Sequence, residues 1–275
     1  MSDTAIEIGS ARPPRAAGRG RARAIHVSAP LLVACGLLGL WELWARVGNV
    51  SPLLLPKPSA VFSQMVGRID ILAPEAWTTL HEVLVGFGIA ASAGLFLAVA
   101  IAAFRPVELT IYPILVATQV IPKIAIAPVI LILFGLGNTS RIIIIVSLAF
   151  FPVVISTVVG LKSVEETKIH LARSLGAGKF QIFLKLRIPQ SLPDAFGGLK
   201  LAATRAVGAA VISEFITPGP GLGRVILISS SELRPDISMA CIGYLVVIGI
   251  AFFFTMTCIE RLVMPWHVTF RGGTR

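Results

Sequence analysis

The residues that most invite a chemical reading lie between His170 and Pro189, in the run HLARSLGAGKFQIFLKLRIP. Gly176-Ala177-Gly178-Lys179 has the outline of a phosphate-binding loop. Such a loop needs a glycine five residues before Gly178 and a Ser or Thr after the lysine, so that backbone N–H groups and a hydroxyl reach phosphate and magnesium. Arg173 and Phe180 occupy those positions. Paired carboxylates, a nucleophile elbow and zinc-spaced His and Cys residues are also missing. The sequence therefore predicts no catalytic residues, no metal site and no cofactor. What remains is the chemistry of contact and of charge in an apolar setting.

That setting follows from composition. With 55% hydrophobic residues, 14% charged residues and a mean hydropathy of +0.86, the chain lies outside the soluble globular range. Apolar runs long enough to cross roughly 30 Å of hydrocarbon, about 20 residues each, read at 29–47, 83–104, 109–134, 142–161, 199–216 and 237–259. Backbone polar groups in hydrocarbon must be satisfied within the segment, and the runs lack the alternation of barrel strands. The expected fold is an all-α membrane protein with six transmembrane helices.

The formal charge of +10 raises nucleic acid as a partner, and its distribution argues against that. With the N-terminus inside, the cytoplasmic side holds Arg12, Arg15, Arg19, Arg21, Arg23, Arg105, Lys162, Lys168, Arg173, Lys179, Lys185, Arg187, Arg261, Arg271 and Arg275. The other side holds Arg46, Lys57, Arg68, Arg141, Arg224 and Arg234. This asymmetry follows the positive-inside rule and predicts both termini in the cytoplasm, with membrane lipid and not nucleic acid as the partner.

Residues 1–24, with five arginines and no apolar face, read as a disordered tail. The run Leu32-Val33-Ala34-Cys35 resembles a lipoprotein cleavage site, but His26 and Pro30 interrupt the apolar stretch before it, and hydrophobicity continues to Trp41 and Trp44. Cys35, Cys241 and Cys258 read as buried free thiols. The resulting division is a basic tail at 1–24, a first span and external loop at 25–76, a core transmembrane domain at 77–267 with a cytoplasmic segment at 162–194, and a second tail at 268–275.

Several features of the spans bear on a pathway. Pro113, Pro122 and Pro128 interrupt the third span, and each removes a helix hydrogen bond that protein or water must replace. Pro122 and Lys123 mark that break. Lys123 reads either as a pathway cation or as a lysine that snorkels or pairs with a carboxylate. The fifth span is dense in Gly and Ala, from Gly197 to Ala210, which suits close packing. Thr204, Ser213 and Glu214 on that span are candidates to face a polar cavity. Thr217-Pro218-Gly219-Pro220-Gly221-Leu222-Gly223 forms an outer turn, read as a plain loop or as a hinge.

The segment between spans four and five reads as two short helices. Val164 to Leu175 is helix-forming, Gly176 breaks it, Lys179 to Leu186 resumes, and Pro189 with Pro193 ends the second helix. Its apolar residues exceed what packing on its own bundle requires. The surplus predicts either docking of another protein, helix in groove, or an interfacial helix lying on lipid.

On these residues the segment resembles the cytoplasmic coupling motif of binding-protein-dependent ABC importer permeases. That pattern is Glu-Ala-Ala, three residues, Gly, nine residues, then Ile-x-Leu-Pro. Here His170, Leu171, Ala172, Gly176, Leu186, Ile188 and Pro189 fill it, with Arg187 between the last apolar pair. His170 stands in place of glutamate and Leu171 in place of alanine. Similarity to the nitrate, sulfonate and taurine branch extends through Leu55 to Val61, Ile121 to Pro128, Phe134 to Gly137 and Gly221 to Gly223. The resemblance implies a type I ABC importer-like transmembrane domain in a bacterial inner membrane. It also implies a second permease copy as a homodimer, two cytoplasmic ATPase subunits on the coupling segment, and an extracytoplasmic substrate-binding protein. Transport would run by ATP-driven alternating access. The competing class is a stand-alone secondary transporter, for which no convincing internal repeat is visible.

Overall fold

The computed structural model describes residues 19–48 and 50–265, without the side chains of residues 19–31 and Lys123. Most of the tail expected at 1–24 and all of that at 268–275 lie outside the described residues. Every regular element among those described is helical.

The chain divides into two compact units, residues 1–59 and 60–275. In the first, α1 (Arg19–Val47) begins inside the stretch expected to be tail. Arg and Ala form helix readily, so the first span extends backward through them. Near the other end of α1, Glu42 pairs with Arg46 at 2.6 Å. It also accepts hydrogen bonds from the Ser59 backbone N–H at 3.0 Å and the Ser59 hydroxyl at 2.9 Å. Those contacts fix the start of α2 (Pro58–Gly67), where free N–H groups favour a carboxylate.

In the second unit, α3 (Ile69–Ala103) is 35 residues long and starts well before the expected second span. Pro74 lies within its first two turns and forfeits only the bond back toward Asp70, so the helix runs through it. The third span is broken as expected, into α4 (Arg105–Thr118) and α5 (Lys123–Phe134), with Pro122 capping the second piece. Next come α6 (Asn138–Lys162), α7 (Glu166–Ser174), α8 (Lys179–Ile182), α9 (Ile188–Ile216), α10 (Leu222–Ser231) and α11 (Pro235–Val263). Among the described residues, α3, α6, α9 and α11, with α8 running into α9, are long and apolar enough to cross a membrane.

The core is a close stack of α3, α6 and α9, with α11 across α9 and α3. In hydrocarbon, helices associate through packing and not through the hydrophobic effect, so small residues set the approach. A Cβ on Gly86 of α3 would stand 2.5 Å from Ile145 of α6, and one on Gly198 of α9 would stand 2.8 Å from the Pro152 carbonyl oxygen. Ala202, Ala203, Ala206, Ala209 and Ala210 of α9 are all buried beside Val83, Ile145, Ala149 and Val153. Gly197 and Gly208, read with them in the sequence, face open space instead. The outer surfaces of the helices are apolar, with Phe96 at 78% and Ile132 at 83% exposure in the single chain. Of the cysteines, Cys241 is buried, whereas Cys35 and Cys258 lie on exposed helix faces.

Gly86→Leu is expected to lower stability by about 1–3 kcal/mol through overpacking, whereas Gly88→Leu, with open space at its Cβ, changes it by under about 0.5 kcal/mol. Thermal-unfolding midpoints of the detergent-solubilised chain check this, and equal midpoints would refute the close-approach account.

Candidate functional site: a docking segment and a buried anchor at opposite ends of one helix

At one end of the bundle α7 and α8 fold against each other around Val164, Ile169 and Ile182, with Ala172, Ala177 and Leu186 packed alongside. The link between them is a Schellman turn. Gly176 N–H donates to the Arg173 carbonyl at 2.9 Å, and Ala177 N–H donates to the Ala172 carbonyl at 3.0 Å. Gly176 takes φ +83°, a left-handed value that a side chain resists. The helix break expected at Gly176 is thus a defined corner.

The expected stop at Pro189 does not occur. Residues Phe183–Arg187 form a π-helical turn, in which Ile188 N–H donates to the Phe183 carbonyl, five residues back. The wider turn absorbs the residue that Pro189 cannot bond in α-helical register. α8, the π turn and α9 therefore form one continuous helix, Lys179–Ile216, of 38 residues. Pro193 lies inside it.

The two helices leave an apolar surface uncovered. Leu171 is 62% exposed, Leu175 80% and Phe180 75%. His170 and Gly176 are exposed next to them, and Leu186, Ile188 and Pro189 are half-buried at the root of the segment. A cleft of about 560 Å³ runs between the last turn of α3 and this segment, with Phe104, Ile182 and Phe183 inside and Arg173, Lys179 and Arg187 among its walls. Surface of this kind, apolar and rimmed by cations, is the form of a protein-binding or a membrane-contact site.

At the far end of α9 lies an arrangement that sequence reasoning missed. Arg141, on α6, is 1% exposed. Its guanidinium donates to Glu82 Oε1 at 2.7 Å, to Thr217 Oγ1 at 2.7 Å, to the Pro220 carbonyl at 2.7 Å and to the Thr217 carbonyl at 3.1 Å. Beside it, Glu214 accepts from the Thr79 hydroxyl at 2.7 Å and from Gly223 N–H. Thr79 Oγ1 accepts from Leu222 N–H at 3.0 Å, and Glu75 accepts from Gly221 N–H. The three leading N–H groups at the start of α10 are therefore held by two carboxylates and a hydroxyl, in agreement with the sign of the helix dipole.

Glycine is required at this junction. Gly221 has φ +143°, and a Cβ there would stand 2.3 Å from Glu214 Cδ. The turn 217–223 is thus neither a plain loop nor a free hinge: it is clamped to α3, α6 and α9. The sequence carried a faint signal, since Glu75, Thr79 and Glu82 fall at i, i+4 and i+7 on one face of α3.

The five residues read as pathway candidates are separated by the fold. Glu214 and Ser213 are buried, and the Ser213 carbonyl accepts from the Thr217 hydroxyl. Thr204 is exposed on α9 at the edge of an apolar groove toward α11. Pro122 caps α5 and Lys123 opens it, across the helix interruption at 119–122 that follows α4, and the Lys123 side chain lies outside the described residues. Also unforeseen is a Lys200–Glu260 ion pair between α9 and α11. Among the described residues no group of three or more His, Cys, Asp or Glu is arranged to hold a metal ion.

The fold is thus an all-helical bundle in which one continuous span, Lys179–Ile216, ends in an exposed two-helix corner. Residues 90–264 match the family model described as binding-protein-dependent transport system inner membrane component, and the chain belongs to that family. It is 31% identical to the formylaminopyrimidine transport permease protein ThiX of Halalkalibacterium halodurans, over 89% of this chain and 98% of that one. It is 28% identical to the taurine transport system permease protein TauC of Escherichia coli, over 84% and 86%. The fold is shared with the inward-facing MetNI methionine ABC transporter, with a TM-score of 0.62 at 20% identity, covering 72% of this chain and 98% of that one. The chain is accordingly an inner-membrane ABC importer permease with multiple membrane crossings.

Arg141→Met is expected to cost about 3–5 kcal/mol, because it strands the Glu82 carboxylate and two loop carbonyls without a donor. The double variant Arg141→Met/Glu82→Met recovers part of that loss, read as a higher midpoint in detergent unfolding than the single variant; no recovery would deny that the two groups act as a pair.

Proposed function

We propose that this permease moves a small solute inward by ATP-driven alternating access. Two separate cytoplasmic ATPase subunits grip the α7–α8 corner, an extracytoplasmic binding protein delivers solute at the α10 end, and a second copy of the chain completes the pathway as a homodimer. Both termini lie in the cytoplasm, on the same side as the basic segment 162–194. The chain itself hydrolyses nothing; the ATPase subunits supply that reaction.

The observation that carries this reading is the continuity of the helix from Lys179 to Ile216. A push on α8 enters α9 through helix hydrogen bonds and no flexible linker. At about 1.5 Å per residue the rod is roughly 57 Å long, enough to carry motion across the bilayer. Leu171, Leu175 and Phe180 give the ATPase an apolar grip, the helix-in-groove mode, and the Gly176 corner keeps α7 and α8 at a fixed angle. A permease driven by an ion gradient would have no use for such a grip.

Pro122, Lys123 and Thr204 line the pathway in this reading. Ser213 and Glu214 act on it through the outer turn that they hold. The solute class is that of the nitrate, sulfonate and taurine importers or of the vitamin-precursor importers. Support comes from relatives named for taurine and for formylaminopyrimidine transport.

Replacing both Leu171 and Phe180 with Glu is expected to weaken co-purification of the ATPase by about tenfold or more, as loss of a central apolar anchor does. Arg224→Glu, at the opposite end, leaves it unchanged, and unfolding midpoints verify that all chains are folded. Solute movement by the purified chain alone in liposomes would overturn the proposal.

A further inference from the structure

The cleft beside the α7–α8 corner has two unlike walls. One is the last turn of α3, with Val99, Ala102 and Phe104, and the other carries Arg173, Lys179 and Arg187. From Val83 to Phe104 the chain holds a single polar side chain, Ser92, and at about 1.5 Å per residue that stretch is roughly 33 Å long, the thickness of a hydrocarbon core. Arg105 follows at once. The last turn of α3 therefore lies where hydrocarbon gives way to headgroups, and the cleft opens at that depth.

None of the three cations is neutralised. Among the described residues they make no ion pair and no side-chain hydrogen bond, and no carboxylate lines the cleft. Glu108, whose carboxylate feels the charge of Arg187, is held by Lys162 at 2.8 Å, and Glu165 pairs with Lys168. A cleft lined by one sign of charge with apolar walls draws in an anion. Apolar surface continues out of it, since Val99 shares one stripe of α3 with Phe96 and Ile89, and all three are exposed. A soluble anion satisfies the cations and leaves the stripe bare. A lipid with a charged head answers both.

We propose that the cleft binds an anionic glycerophospholipid, with its phosphodiester set against Arg173, Lys179 and Arg187 and an acyl chain along the Val99, Phe96 and Ile89 stripe of α3. The volume, about 560 Å³, falls within the roughly 300–1,000 Å³ of small-ligand sites. Of the three residues proposed to grip the ATPase only Phe180 lines the cleft, so the two surfaces adjoin without coinciding. The lipid site goes beyond the importer reading and does not depend on it.

For the test, the full chain is reconstituted in phosphatidylcholine bilayers with a trace of phosphatidylglycerol or phosphatidylcholine, each bearing the same photoreactive diazirine on one acyl chain, and labelled peptides are located by mass spectrometry. The phosphatidylglycerol probe is expected to label residues 89–104 about tenfold more than the phosphatidylcholine probe, because each basic side chain near the surface adds attraction for an anionic lipid. Arg173→Gln/Arg187→Gln abolishes that preference. Lys168→Gln/Lys185→Gln removes the same charge from outside the cleft and leaves it in place. Should the arginine pair not fold by its unfolding midpoint, Arg173→Gln alone, at an exposed side chain, lowers the preference about threefold. Equal labelling by the two probes, or a preference that both charge-removing pairs reduce alike, would overturn the inference. So would displacement of the probe by glycerol 3-phosphate, the mark of a soluble-phosphate site, or complete blocking by bound ATPase, the mark of a protein-docking surface. A chain that keeps the lipid preference and recruits no ATPase loses only the importer reading.

Discussion

The Arg141 guanidinium has no route to water, and the rest of the bundle is arranged around that fact. Removing a charge from water is costly unless geometry and hydrogen bonds compensate for it. Here four hydrogen bonds do so, one to a carboxylate on α3 and three to the turn that follows α9. Because the guanidinium and its partners come from three separate parts of the chain, the charge can be accommodated only when α3, α6 and the end of α9 are in register. The small residues between those helices let them approach closely enough to meet that condition: Gly86 against Ile145 and Gly198 against Pro152 leave no slack for sliding.

That register makes α9 a rod with both ends held. At one end it is continuous with α8 through the π turn, and at the other it is clamped by Arg141 and by the acids that bind α10. The two ends solve different problems. The α7–α8 corner keeps apolar residues outward around a small core of Ile169 and Ile182, the surface on which the proposed docking rests. The α9–α10 junction keeps Arg141, Glu82, Glu214 and Thr217 inward. A force applied at the first end would thus be delivered to the second with little loss within the helix.

Sequence alone made the helices legible because hydrocarbon leaves the backbone one choice, and apolar length reports it directly. Gly176 was legible for a similar reason: a left-handed corner after a helix leaves a strong local mark. Three things were not. The stop expected at Pro189 failed because a π turn rescues the bonding register, and nothing in the residues around Pro189 announces one. α10 escaped because ten residues carrying three serines and an arginine do not look like a span. The anchor escaped because its pairings, Arg141 with Glu82 and Thr79 with Glu214, join residues 59 and 135 positions apart.

The same energetics bear on how such a bundle can move. Opening the outer junction within a single chain would strand a guanidinium and two carboxylates in a low-dielectric interior, at a cost of several kcal/mol for each unpaired charge. Alternating access requires two states close enough in free energy for a partner to bias them. Those conditions agree only if α3, α6 and α9 move as one body and the changing contacts lie on faces the single chain leaves open. On α9 that open face is the one that carries Thr204, Arg205 and Gly208. In the proposed homodimer, the rigidity of the anchor would place the moving interface on the open faces between the two copies, and not within the tightly packed stack of α3, α6 and α9.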